Sequence, residues 1–236
     1  MDKLCGIVLL LLFAMPVRAT PTLTVATDLW PPFRILQADG RLQGLDMDIL
    51  RRLQQASGIE LQVRRMPWGR ALKQMQTGQV DLMIGLAYTA ERAQFIDYLQ
   101  PAYYQCWPAF YGQPVNVARI HQYRDLQGVK VGYVLNSAYF EPFNSDSRLD
   151  KHGVPTEDQL LRMVQRGHLP LMIGTDCQGN ASRIGKADYR PATPVTLYLG
   201  MSKHSPHQSL RQPLLVALQN LVASGEIRVM AKRYQP

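Results

Sequence analysis

From Leu23 onward, apolar and polar positions alternate between two periods. "LTVATD" (Leu23 to Asp28) has the period of a strand, and "WPPF" breaks it. "DMDILRRLQQA" then places Ile49, Leu50, Leu53 and Ala56 on one helical face, with Asp46 in the position of an N-cap and Gly58 as the stop. "IELQVRRM" returns to strand. "WGRALKQMQTG" carries Ala71, Leu72 and Met75 at helical spacing and closes on Gly78, and "VDLMIG" is a short buried strand. Strand, helix, strand, helix, strand with short links predicts a parallel α/β unit. After "GQPVN" the order restarts. "GVKVGYVL" predicts a strand, "NSAYFEPF" a turn or helix start, "TEDQLLRMVQRG" a helix capped by Thr156, and "LPLMIGTD" a strand. A looser stretch from Cys177 to Pro194 precedes the strand "VTLYLGMSK", and "SLRQPLLVALQNLVASG" predicts a helix with Pro213 in its first turn or kinking it. No internal sequence repeat accompanies this repetition of elements.

The first 19 residues read differently. Lys3 precedes an apolar run from Ile7 to Met15 that is too short to span a bilayer, and Val17 and Ala19 occupy the −3 and −1 positions of a cleavage site. That pattern predicts a secretory signal peptide over residues 1–19. Cys5 lies ahead of the apolar run, where a lipoprotein cysteine does not. The remaining length suits two lobes of about 100 residues each. The whole chain carries a formal charge of +8, but its basic residues form isolated doublets such as Arg51-Arg52 and Arg64-Arg65. Solvated faces explain those better than nucleic acid, and a modest basic excess favours small anionic ligands at encounter. Two of the three cysteines, Cys106 and Cys177, lie beyond the leader, an even number that permits one disulfide in an exported protein. The five histidines are scattered, and neither they nor the cysteines have metal-ligand spacing.

Seven segments, taken in order, carry a resemblance: "ATDLWPPF", "GRLQGLDMDILRRL", "MPWGRALKQMQTGQVDLMIG", "YTAERAQFIDYLQPAYY", "LQGVKVGYVLNSA", "QRGHLPLMIGTD" and "YLGMSKHSPHQSLRQPLLVALQNLVASGEI". Together they cover nearly all of the chain after the leader, and they are similar to the bacterial extracellular solute-binding proteins of family 3, the periplasmic polar amino-acid-binding type. The resemblance implies a type II periplasmic binding protein fold: two α/β lobes with a ligand cleft between them and a two-strand hinge. The expected boundaries are 20–108 and 202–236 for lobe one, 114–195 for lobe two, and 109–113 and 196–201 for the hinge. It also implies a monomeric, cofactor-free, non-enzymatic protein of the periplasm that delivers a small carboxylated solute to an inner-membrane ABC-type transporter. Two alternatives stay open. One is an enzyme on the same scaffold, similar to a cyclohexadienyl dehydratase, for which Glu141 and Asp28 are the candidate acids. The other is a sensor that passes its ligand signal to a membrane receptor.

Strand ends point to the same cleft, because ligands of open parallel sheets bind beyond the carboxyl ends of the strands. Asp28, Trp30, Gly85, Asn136, Ser137 and Asp176 all follow or end predicted strands. By resemblance Arg92, in "TAER", clamps the ligand carboxylate with its planar fork, and Thr89 caps the short helix that carries it. A solvent-facing Arg92 paired with Glu91 or Asp97 is the alternative. Trp30 and Trp68 match the aromatic positions that sandwich the ligand side chain; core packing is their other possible fate. Asp28 and Asp176 match positions that hold an α-amino group, Asp176 with a one-residue offset, and Ser137 adds a donor from lobe two. Gly85 and Ala87 stand where amino-acid binders of the family usually carry Ser or Thr, so two side-chain donors are absent and the expected ligand is defined by its carboxylate. The lobe boundaries place Cys106 and Cys177 near the hinge, where a disulfide is expected; two separate buried thiols are the alternative.

Overall fold

The computed structural model describes residues 20–178 and 184–234, so the expected leader lies outside the described residues. Lobe one opens with β1 (Thr22–Thr27), whose Leu23 and Val25 are fully buried. A small hairpin follows, β2 (Ile35–Leu36) with β3 (Leu42–Gln43). Helix α1 (Leu45–Ser57) turns Ile49, Leu50 and Leu53 into the core and closes on Gly58 in the left-handed conformation. Its start differs from the sequence expectation. Gly44 is the N-cap, and Asp46 lies inside the first turn, fully buried. Gly44 has φ 126°, and a Cβ there would meet the Phe33 carbonyl oxygen at 2.2 Å, so no other residue fits. Asp46 does not cap because its carboxylate is taken by Arg34 and by the Tyr103 hydroxyl.

Next come β4 (Glu60–Arg65), α2 (Trp68–Gln76), β5 (Leu82–Ala87) and the long β6 (Ile96–Cys106). The chain then changes sheet at Trp107. Lobe two is built from β7 (Pro108–Gly112), the short α3 (Pro114–Val117), β8 (Val131–Val134), β9 (Lys151–Val154), α4 (Glu157–Gln165), β10 (Leu171–Thr175) and β11 (Gly185–Lys186). Thr156 caps α4 through its hydroxyl, which accepts from the Gln159 N–H at 3.3 Å. The chain returns to the first sheet as β12 (Val195–Ser202) and ends in α5 (Arg211–Ala223) and α6 (Glu226–Ala231), with Pro213 in the first turn of α5. No helix among the described residues is long and apolar enough to cross a membrane.

The first sheet has the order β4-β1-β5-β12-β6 and the second β11-β7-β10-β8-β9. In the first sheet the three strands predicted as parallel, β4-β1-β5, are parallel. In the second the two predicted strands β8 and β10 are parallel, and β9, which the sequence analysis does not include, joins them in parallel. In each sheet an antiparallel strand from the crossing segments lies beside the third. The repeated order of elements is therefore a repeated topology. The segments 109–113 and 196–201 fall largely within β7 and β12, each hydrogen-bonded into its own sheet. Apolar packing follows the same division. One cluster joins β1, α1, α5 and α6, and another gathers Phe110, Phe143, Val131 and Ile173. A third runs from Ala71 and Trp68 in lobe one to Val134, Leu160 and Met172 in lobe two, so the lobes meet through apolar contacts as well as through the chain.

Candidate ligand cleft

The ends of β1, β5, β8 and β10 converge on a cavity of about 80 Å³. Asp28, Leu29 and Trp30 reach it from the end of β1, Gly85 and Ala87 from β5, Ser137 to Tyr139 from beyond β8, and Gly174 and Thr175 from β10. Trp68 and Glu157 enter from the first residues of α2 and α4. The structure thus brings together Asp28, Trp30, Trp68, Gly85, Ala87, Arg92 and Ser137 from the sequence-derived set. Asp176 is not among the lining residues. Its carboxylate accepts from the Trp107 N–H at 2.8 Å and pairs with Arg190 at 3.5 Å. At a strand end a one-residue offset sends a side chain to the other side, and Thr175 holds the cleft position instead. Glu141 also lies outside this cavity, accepting from the Ser145 hydroxyl at 2.5 Å.

Arg92 does not point to water. It is buried, and its backbone N–H donates to the Thr89 hydroxyl at 3.1 Å, which sets the turn. Its Nη1 donates to the Ala87 carbonyl at 2.9 Å, and its Nη2 crosses to lobe two and donates to the Asn136 carbonyl at 2.5 Å. Burial pushes its pKa down, and the neighbouring Tyr98 and Glu91 oppose that. Asn136, with φ 61°, turns its carbonyl to meet it.

A second buried arginine was not anticipated from the sequence. Arg34 is 3% exposed; its Nε donates to the Asp28 carbonyl at 2.7 Å, and its Nη1 is ion-paired with Asp46. The guanidinium lies 5.3 Å from the Trp30 ring centroid and 5.9 Å from that of Trp68. Gly85 belongs to the same arrangement. Its φ is +82°, and a Cβ would come within 2.5 Å of Arg34 Nη1. The missing hydroxyl at position 85 and the buried arginine are thus one structural fact. The available signal was an arginine between Phe33 and Ile35 with no acid beside it in sequence.

Two carboxyls face the same space. Asp28 is raised by burial, against the Leu29 N–H and the nearby Arg34 charge. Glu157 accepts from the Gln178 side chain and is pushed up to about 7, first by burial and then by the charge of Asp28, with Gln178 and Arg34 opposing. Two lining residues also hold buried polar atoms with no hydrogen-bond partner among the described residues, Trp68 Nε1 and Thr175 Oγ1. Such atoms cost free energy unless something else satisfies them. A raised carboxyl has a defined consequence for stability. Between its ordinary value of 4.5 and about 7, the folded protein holds the Glu157 proton and the unfolded chain does not. Its contribution to stability therefore falls as pH rises through that window. Glu157→Gln is expected to remove this fall and to be more stable than the wild type at pH 8, as read by urea unfolding across pH. An unchanged pH profile in the variant would reject the assignment.

Cys106 and Cys177 form a disulfide with Cα atoms 5.6 Å apart, joining the end of β6 to the turn after β10. Asp176 brings a third potential ligand atom to within 4.8 Å of the two sulfurs, but both sulfurs are bonded and neither is available as a thiolate.

Two α/β lobes enclosing a polar cleft at their strand ends define a ligand-binding protein of the type II periplasmic class. The chain belongs to the bacterial extracellular solute-binding proteins, family 3, whose profile matches residues 23–236. A protein of Neisseria gonorrhoeae described as a probable histidine-binding protein is 27% identical over 71 residues, 30% of this chain and 26% of that relative. The chain thus matches about a quarter of that relative's length. An amino acid ABC transporter substrate-binding protein of Streptococcus pneumoniae, solved with L-arginine, superposes with a TM-score of 0.78 at 22% identity, covering 90% of this chain and 94% of that one. A periplasmic binding protein of Salmonella typhimurium with high arginine specificity superposes with a TM-score of 0.78 at 19% identity, covering 91% of this chain and 99% of that one. At these identities the likeness is one of fold. The proteins of this family and fold are mostly binding proteins without catalytic activity.

Proposed function

We propose that this protein is exported to the periplasm, captures a small carboxylated solute, an amino acid or a related acid, and passes it to an inner-membrane ABC-type transporter without chemical turnover. The observation that carries this reading is Arg92: a buried guanidinium on the cleft, held by one carbonyl from each lobe. A ligand carboxylate accepts from the same fork with two parallel charge-assisted bonds, stronger than those to neutral carbonyls. Asp28 and Glu157 supply acceptors for an ammonium group. Trp30 and Trp68 supply apolar faces, and Ser137 supplies a donor from lobe two. In this reading the lobes, 20–108 with 202–236 and 114–195, turn against each other about the crossing segments 109–113 and 196–201 when ligand bridges them.

A thermal-shift screen with amino acids, dicarboxylates, aromatic acids and polyamines tests the reading. At least one carboxylated compound is expected to raise the melting temperature. At a hundred times its Kd a ligand that binds only the folded form adds about 2.7 kcal/mol. Stabilisation by polyamines alone, or by nothing in the panel, would overturn it.

A further inference from the structure

We infer that Arg34 is the specificity-determining residue of the cleft: the protein's own guanidinium fills the aromatic cage, so the site takes an amino acid whose side chain ends in a hydrogen-bond acceptor and turns away one that ends in a cation. The inference rests on the amino-acid-type reading proposed above and adds the class of side chain.

Three observations carry it. First, Arg34 lies near the faces of both tryptophans, at 5.3 and 5.9 Å from their ring centroids. The π faces that would attract a ligand ammonium or guanidinium already serve a cation of the protein. Second, that cation is fixed. Its Nε is held by the Asp28 carbonyl and its Nη1 by Asp46, which the Tyr103 hydroxyl orients at 2.7 Å. Gly85 leaves the room it needs. Third, both unsatisfied groups lining the cavity can donate, and one of them can do nothing else. Trp68 Nε1 can only donate, and the Thr175 hydroxyl likewise has no partner among the described residues. A carboxylate or an amide carbonyl answers both; an ammonium or guanidinium can pair with the Thr175 hydroxyl but leaves Trp68 Nε1 without an acceptor and sets a second cation beside Arg34. Asp28 and Glu157 do not reverse this. They suit the single ammonium of an α-amino acid, and a second ligand cation finds its aromatic faces occupied. The likeness of fold to arginine-binding proteins therefore does not extend to the ligand's side chain.

The test is calorimetric titration of the ligand-stripped protein with L-glutamate, L-glutamine, L-arginine and L-lysine. L-glutamate or L-glutamine is expected to bind at least tenfold more tightly than either basic amino acid. The double variant Arg34→Gln/Asp46→Asn, which removes both partners of the buried ion pair and keeps an acceptor for Tyr103, is expected to fold and to lose that preference. L-arginine or L-lysine binding as tightly as the others in the wild type would overturn the inference, as would an unchanged preference in the folded double variant. If the variant does not fold, the wild-type ranking decides. If none of the four binds but another carboxylated solute does, its far end decides: an acceptor supports the inference and a cation overturns it. If no carboxylated compound binds at all, the capture reading itself has failed, which the thermal-shift screen reports separately.

Discussion

Arg92→Ala is expected to weaken binding of a carboxylated ligand by roughly 2–5 kcal/mol, the cost of truncating one partner of a buried, hydrogen-bonded charge pair. Burial makes the loss large, because the ligand carboxylate would be left in a dry site without its counter-charge. The variant also removes the one arginine bond that reaches Asn136 across the cleft, so the closed arrangement loses a tie as well. Arg92→Lys is expected to recover little, since a point charge cannot span two oxygens as the planar fork does. Calorimetry against the compound found by screening checks both, and an affinity in Arg92→Ala equal to that of the wild type would remove the clamp from the account.

Removing the disulfide is the second large effect. Cys106 and Cys177 close a loop across a sequence separation of 71 residues that contains most of lobe two. Restricting an unfolded chain by a loop of that size is worth roughly 4 kcal/mol. The double variant Cys106→Ala/Cys177→Ala is therefore expected to lose about that much stability in urea unfolding, with the larger change in midpoint appearing only under non-reducing conditions. Replacing Cys106 also trims a fully buried side chain, so the fair comparison is with the wild type unfolded in the presence of reductant. A difference below about 1 kcal/mol between oxidised and reduced wild type would show that the bond does not constrain the unfolded ensemble as the chain-entropy account requires.

What the sequence made legible is what local order determines. Ile49, Leu50 and Leu53 recur at helical spacing, and α1 is where that spacing puts it. Thr156 announces α4 because a cap acts within its own turn. The convergence of strand ends pointed to Asp28, Trp30, Gly85 and Ser137, while Trp68, Ala87 and Arg92 were named from the family resemblance; seven of the eight named residues line one cavity. What failed depends on partners distant in sequence. β6 has no regular alternation, since its exposure is set by β12 and α5, which arrive about 100 residues later. β9 and β11 are four and two residues long, too short to show a period. Asp46 looked like a cap because of its place before an apolar run, but Arg34 and Tyr103 draw it inside. Glu157 follows the Thr156 cap and carries no sequence signal of its own. Only the fold puts it opposite Asp28 and Arg34. Thr175 and Asp176 differ by one position, a distinction that strand pairing decides and composition does not.

The order of the first sheet bears on how the chain can be made and moved. β12 lies between β5 and β6, and in that sheet β6 is bonded to β12 alone, so the first lobe cannot complete its sheet until nearly the whole polypeptide has emerged. Val195 pairs directly with Cys106, so the chain leaves the first lobe and re-enters it at facing residues. Lobe two is in this sense a long insert at the mouth of what would otherwise be a β-hairpin. Until β12 arrives, the edge of β5 and the whole of β6 lack their partner in the finished sheet. Because β12 pairs with strands made long before it, this edge of the sheet is formed from contacts distant in sequence, the kind that slows folding.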